Sequence, residues 1–387
     1  MVITKNNVTP WLVEGIVDYE KLIEEFGVKH LSEDNLKFLK DLSAKKNIPF
    51  HLFLKRNLYF SHRDFDKVIE SFKKNENIFL YTGRSPGGSM HIGHLVSFLF
   101  TKYLQDVFDC NLYIQIPDDE KFLFKKDLNL ETIEEMTQKD LLNIAAIGFN
   151  PDKTFIFRNS EYIRNMYPLY LKTAKKILLS QTSAIFGFNN QSNIGMINYP
   201  ALQIVPTFFE KGQCLIPCAI DQDPYFRLQR DIANSLGYKK NSTILSKFIP
   251  PLTGTEGKMS ATNANKAILL DDCAKEIKNK INKYAFSGGQ PTIEEHRKLG
   301  GNTKIDVCYQ WLYYLFEEDD KAIEKIKNDY EKGILLTGEL KKILIDKLTL
   351  FIENHQKNKQ KVIDENLLEK YMYKGKLAIK MWNEKFL

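Results

Sequence analysis

The chain has 387 residues, 43% of them hydrophobic and 27% charged, a balance ordinary for a soluble protein with ample material for a core. No long disordered tract, signal peptide, transit peptide or membrane-spanning run stands out, so a cytoplasmic protein of about two to three domains is expected. The net charge of +6 is a mild basic excess, compatible with an RNA partner but not evidence for one.

In chain order, residues 1–77 carry short amphipathic stretches, Tyr19 to Phe26 and Asn35 to Leu42, and end in Phe60 to Phe65, where Ser61 is expected to cap the next helix. Ile78 to Thr82 has strand composition and stops at Gly83. Gly83 to Met90 is a loop with breakers at Pro86, Gly87 and Gly88. From His94 the pattern turns helical, with apolar residues at Val96, Leu99, Phe100, Tyr103, Leu104, Val107 and Phe108, and Asn111 to Ile116 reads as a second strand. This βαβ unit opens a stretch from 78 to about 270 that alternates strand and helix, predicting an α/β domain with a Rossmann-like, doubly wound parallel sheet. From 271 to 387 the pattern is nearly all helical, with helices expected over Cys273 to Tyr284, Ile305 to Phe316, Lys321 to Lys332 and Leu340 to Glu353.

Two features leave alternatives open. Residues 341–387 hold 11 lysines against 6 acidic residues, which suits an RNA-facing surface and a solvated helix face equally well. Five cysteines form no tight framework, as expected in a reducing compartment. Cys214 and Cys218 have a metal-like spacing, but Leu215, Ile216 and Pro217 between them read as a buried strand edge.

Two distant segments carry the chemistry. The first is Met90-His91-Ile92-Gly93-His94, where the loop enters a helix. Unpaired N–H groups and the helix dipole favour an anion there, and Gly93 has no Cβ to hold a phosphate away. His91 and His94 are three residues apart and share one helix face. A merely capping pair is the alternative, and in a chain with seven histidines phosphate contact is the stronger reading. Zinc lacks the usual partners, and no Gly-Lys-Ser/Thr follows for a P-loop. The second segment is Gly257-Lys258-Met259-Ser260-Ala261-Thr262. Alone it is a plain surface loop, but together with the histidines it supplies the mobile cation a nucleotide-activating site needs.

These two segments resemble the signatures of class I aminoacyl-tRNA synthetases. Tyr81-Thr82-Gly83-Arg84, Asp118-Asp119-Glu120-Lys121, Cys218 to Tyr225 and Ala285 to Gly289 narrow the resemblance to tryptophanyl-tRNA synthetases of the eukaryotic cytosolic type, from about Pro10 to about residue 375. The resemblance implies an N-terminal extension over 1–77, a catalytic domain over 78–270 and a helical anticodon-binding domain over 271–387. It implies tryptophan, ATP with Mg²⁺ and the tRNA for tryptophan as partners, a homodimer, and no DNA, membrane or protein-bound metal. His91, His94 and Lys258 would be catalytic. Arg84, Gly93, Asp221, Met259, Ser260 and Thr262 would bind ATP, with Asp221 near the ribose. Tyr81 and Gln115 would hold the indole nitrogen, and Glu120, Gln203 and Gln222 the α-ammonium.

Departures are visible too. The loop between Arg84 and His91 is one residue short of the family pattern, and Pro117 stands where a hydroxyl is usual. Thr262 replaces serine, and Gln290-Pro291 replaces a charged pair, so no anticodon contact is assigned there. The rivals are a tyrosyl-tRNA synthetase, which shares fold and signatures, and a non-catalytic binding protein on the same fold. No acidic residue adjoins Tyr81 and Gln115 to receive a phenol, and the intact histidines and lysine oppose a silent descendant.

Overall fold

The computed structural model describes residues 17–255, Gly257, Met259 and 266–386. Its centre is a seven-stranded sheet of β1 (Lys29–His30), β2 (Tyr59–Arg63), β3 (Ile78–Gly83), β4 (Asn111–Ile116), β5 (Thr154–Arg158), β6 (Gln213–Ala219) and β7 (Ser242–Ser246). The spatial order is β1-β2-β7-β6-β3-β4-β5. The five strands from β7 to β5 are parallel, and β1 and β2 extend the β7 edge antiparallel. The chain thus runs outward from β3 through β4 to β5, then returns to β3's other side for β6 and β7. The gap between β3 and β6 is the topological switch point, where such sheets open a crevice at their C-terminal ends.

Side chains alternate across each strand, so the two sheet faces collect different residues. Leu80, Leu112, Ile114, Ile156, Leu215 and Ile244 join one apolar cluster, while Phe79, Tyr81, Tyr113, Phe155, Phe157 and Ile216 join the other. Cys214 and Cys218 lie on β6 in the middle of the sheet rather than at an edge, both buried as free thiols.

Most expected elements are present with shifted ends. The helix after β3 runs Ile92–Phe108 with His91 at its N-cap, two residues earlier than its apolar period suggests. Asn35 to Leu42 lies inside a helix, Glu33–Lys45, because Ser32 and Asn35 form a reciprocal cap. Ser61 does not cap the next helix. It lies within β2, and the helix Phe65–Lys73 starts after Asp64, whose φ of 55° makes the turn. There His62 Nδ1 accepts from the Phe65 N–H at 3.0 Å.

In the helical region, Ile305 to Phe316 divides into Val307–Trp311 and a π-helical turn Leu312–Phe316. The expected helix over Leu340 to Glu353 extends to Thr337–Asp364, because Leu340, Leu344, Leu348 and Ile352 continue as a buried stripe to His355 and Val362. That helix packs with the first cluster, and its His355 Nε2 meets Asn143 Oδ1 at 3.1 Å. The last helix, Lys376–Asn383, returns to the opposite face, where Tyr162 donates its hydroxyl hydrogen to the Met381 carbonyl at 2.8 Å. No helix of the described residues is long and apolar enough to cross a membrane.

Candidate active site

The switch point holds two adjoining cavities. The first, about 270 Å³, is lined by Tyr81, Arg84, His91, Gly93, His94, Gln203, Asp221, Gln222 and Met259 among others. The second, about 670 Å³, is lined by Arg84, Gln115, Glu120, Lys121, Gln203, Gln222 and Tyr225, with Phe186, Phe188 and Met196 as apolar wall. Arg84, Gln203 and Gln222 belong to both, so they form the wall where two ligands would meet. Every described candidate from the sequence thus lines one cavity or both. Lys258, Ser260 and Thr262 lie outside the described residues.

The first cavity is built on the start of the helix Ile92–Phe108. The rings of His91 and His94 stack with centroids 3.6 Å apart, and His94 Nδ1 accepts the His91 backbone N–H at 3.1 Å. His91 is 3% exposed, and burial beside the Arg84 guanidinium pushes its imidazole down to about 3, so it is neutral at pH 7. Both of its ring nitrogens are buried with no hydrogen-bond partner among the described residues. A Cβ at Gly93 would lie 3.1 Å from the Met259 methyl and 3.2 Å from the His91 ring, so glycine lets these side chains close over the helix start.

Arg84 follows β3 directly. Its Nη1 reaches Asp140 Oδ2 at 2.8 Å, while buried Nε and Nη2 have no partner among the described residues. Burial pushes the Asp140 carboxyl up to about 6, opposed by the arginine's charge. Asp221 is buried in the 3₁₀ turn Ile220–Gln222 at the end of β6. The next motif residue, Asp223, is fully buried and held by Arg63 of β2 through paired contacts of 3.1 and 3.0 Å. That ion pair ties the N-terminal strands to the segment carrying Asp221 and Gln222.

The second cavity is built on the ends of β3 and β4; Gln115 lines it, and Tyr81, which lines the first cavity, joins it through its hydroxyl. The Tyr81 hydroxyl lies 2.5 Å from Gln115 Oε1 and 2.8 Å from the Gln203 carbonyl oxygen, so it has two acceptors for one hydrogen. The Gln115 amide continues to Asn159 at 2.8 Å, and Asn159 to Asp119 at 2.9 Å. Close approach of β3 to β4 depends on Gly83, where a Cβ would lie 2.6 Å from the Gln115 carbonyl oxygen. Glu120, on the helix Asp118–Phe124, is half-buried, and burial pushes its carboxyl up to about 7. The Tyr199 hydroxyl donates to Gln203 Oε1, fixing that side chain. At the departure Pro117, Ser85 Oγ sits 3.4 Å from the proline's carbonyl oxygen. Gln290 spends its amide on the Gly300 carbonyl at 3.0 Å, within the helical region itself.

Among the described residues no group of three or more His, Cys, Asp or Glu side chains could hold a metal ion. Sequence reasoning did not find Asp140, Asn159, Asp223 or Tyr199. Asn159 alone had a usable signal, because it follows directly on the last residue of a parallel strand.

Helix-start histidines, a half-partnered arginine and a polar acceptor pocket meeting at one wall suit an amino acid activated on a nucleotide. Residues 73–353 match the family model of class I tRNA synthetases for tryptophan and tyrosine. The chain belongs to that family. This class I synthetase is 55% identical over 377 residues to the tryptophan–tRNA ligase of Saccharolobus solfataricus, spanning 97% of this chain and 98% of that one. It is 52% identical to the tryptophan–tRNA ligase of Pyrococcus furiosus, over 97% of this chain and 96% of that one. Among solved structures, it resembles a product-bound parasite tRNA synthetase with a TM-score of 0.88 and 44% identity, covering 94% of this chain and 98% of that one. It also resembles the tryptophanyl-tRNA synthetase from Giardia lamblia, with a TM-score of 0.86 and 40% identity over 93% and 96% of the two chains. These relatives come from archaea and parasites alike, so the narrower likeness to the eukaryotic cytosolic type is not confirmed.

Proposed function

We infer that this synthetase activates tryptophan with ATP and transfers it to the 3′-terminal adenosine of its tRNA. The observation that carries this reading is the 55% identity to a tryptophan–tRNA ligase over nearly the whole of both chains. The two cavities support it, because one offers phosphate donors, the other an acceptor for an indole N–H, and both share Arg84.

In the first step the tryptophan carboxylate attacks the α-phosphorus of ATP and pyrophosphate leaves. The nucleophile is already ionised at neutral pH, so no general base is needed. Rate comes from alignment and from neutralising charge on phosphate oxygens. Neutral His91 has one N–H to give such an oxygen, beside the donors of the helix start, and the two unpartnered nitrogens of Arg84 supply more. His94 is assigned the same duty as His91. Lys258 is assigned to the leaving pyrophosphate, with Ser260 and Thr262 giving hydroxyls in the same loop. Mg²⁺ enters on the triphosphate as part of the substrate. Asp221 is assigned to the ribose side, Gln222 and Gln203 with Glu120 to the α-ammonium, and Tyr81 with Gln115 to the indole.

In the second step the tryptophanyl group passes to the 2′-hydroxyl, as in class I members. Residues 78–270 are assigned to catalysis, 271–387 to the anticodon and 1–77 to an extension that supplies two strands of the same sheet. We further assign a homodimer in the cytoplasm. The tyrosine reading keeps the chemistry, but Tyr81 and Gln115 hydrogen-bond to amide and carbonyl groups rather than to a carboxylate: Asp119 is two side chains behind Gln115, and Glu120 is assigned to the α-ammonium. Charging of a tRNA bearing the tryptophan anticodon with labelled tryptophan tests the assignment. Acceptance of tyrosine instead would overturn it.

A further inference from the structure

Two adjacent strands, and the helix start that follows a third, deliver one polar side chain each to a single row. Gly83 at the end of β3 pairs with Gln115 of β4, which pairs with Phe157 of β5, two residues before Asn159. Tyr81, Gln115 and Asn159 are all essentially inaccessible, at 1%, 0% and 1% exposure. Asn159 and Asp119 line neither cavity; Asn159 meets the pocket through Gln115, while Asp119 also touches Glu120, an effect on the α-ammonium common to every amino acid that cancels in a ratio of two substrates.

An amide side chain has the same shape either way round, and only its partners decide which end faces where. Here the row ends on a carboxylate. Asp119 Oδ1 accepts from Asn159 Nδ2 at 2.9 Å and from the Glu120 backbone N–H at 2.9 Å. An ionised carboxylate can only accept, so Asn159 must turn its nitrogen to Asp119 and its oxygen to Gln115. Gln115 Nε2 donates to that oxygen at 2.8 Å, which leaves Oε1 facing Tyr81 and the pocket. The Tyr81 hydrogen has an alternative acceptor in the Gln203 carbonyl. With its hydrogen turned there, the Tyr81 oxygen and Gln115 Oε1 both offer lone pairs to one incoming donor. With Gln115 reversed, the incoming N–H would meet an NH₂ group.

We propose that Asn159 and Asp119 are positioning residues that lock Gln115 with its carbonyl towards the pocket, and so set the pocket's selectivity for a side chain carrying a ring N–H. This rests on the reading of the second cavity as the tryptophan site. Breaking the row does not abolish the pocket; it lets Gln115 turn over and lose its preference.

The test is ATP–pyrophosphate exchange by the full chain at pH 8 with tryptophan and with 3-(benzothiophen-3-yl)alanine, whose sulfur replaces the N–H in a ring of the same shape. The readout is the ratio of kcat/KM for the two amino acids in wild type, Asn159→Leu and Asp119→Asn. The expected result is a ratio lowered by about tenfold in Asn159→Leu, and by a smaller factor in Asp119→Asn, with KM for ATP unchanged. Asp119→Asn is isosteric and decides the matter if Asn159→Leu does not fold. Equal losses for both amino acids, leaving the ratio as in wild type, would overturn the proposal while tryptophan remained the substrate. A wild type inactive with tryptophan would instead overturn the reading on which it rests.

Discussion

At the scale of single residues, the site works by presenting donors and acceptors of fixed sense in places water does not reach. Gln115 is buried with its carbonyl turned to the pocket, so its loss leaves an indole N–H without its acceptor. Gln115→Ala should therefore lower kcat/KM for tryptophan by about 10–100-fold, with KM for ATP little changed. Steady-state exchange with each substrate varied in turn checks this, and equal losses for both would contradict the pocket assignment. Glu120 gives a pH prediction. Burial, with a lesser push from the Asp119 charge, raises its carboxyl to about 7 against the Ser85 hydrogen bond and the Lys121 charge. Below that value it is protonated and neutral, and cannot attract the α-ammonium; above it the attraction is present in full. Since kcat/KM reports the free enzyme, its value for tryptophan should fall towards tenfold per unit as pH drops below about 7. Glu120→Gln should remove that limb of the profile. A flat wild-type profile between pH 8 and 6 would contradict the role.

At the scale of elements, the strand ends and one helix start create the site, and other elements hold them in place. The Arg63–Asp223 pair joins β2 to the segment after β6, with Asp223 fully buried. Arg227 Nε also lies 3.1 Å from Asp223 Oδ2, so removing Arg63 leaves the buried carboxylate one cation and costs its charge-assisted contacts, about 1.5–3 kcal/mol. Arg63→Met should lower stability by about that amount in urea unfolding; a shift below about 1 kcal/mol would mean the pair is not a strap. This scale also explains what the sequence made legible. β3, the loop with its breakers, the helix after it and β4 could be read directly, because apolar runs, alternation and glycines are local signals. Their candidates Tyr81, Arg84, His91, Gly93, His94 and Gln115 reach one crevice because they share those strand ends and that helix start. Partners from afar were not legible. Asp140 meets Arg84 across 56 residues and Asn159 meets Gln115 across 44, and no spacing rule marks either. The expected cap at Ser61 failed for a similar reason. It was set aside by the left-handed turn at Asp64 and by His62, whose imidazole took the capping contact.

At the scale of the molecule, one sheet collects contributions from nearly the whole described chain. The N-terminal strands extend its β7 edge, and the long helix Thr337–Asp364 packs with the cluster on one face. The final helix crosses to the other, where Leu377, Ala378 and Met381 join its apolar cluster. Trp311 in the helical region is fully buried and donates its indole N–H to the Pro250 carbonyl at 2.9 Å. Both ends of the described chain are therefore tied to the sheet that carries the two cavities. The central claim is that those cavities activate one amino acid, tryptophan, on ATP. The most direct test is amino-acid-dependent ATP–pyrophosphate exchange run in parallel with tryptophan, tyrosine and phenylalanine. Exchange with tryptophan alone is the predicted result. Exchange with tyrosine in its place would keep the adenylation chemistry and contradict the roles of Tyr81 and Gln115, and exchange with none would contradict the claim itself.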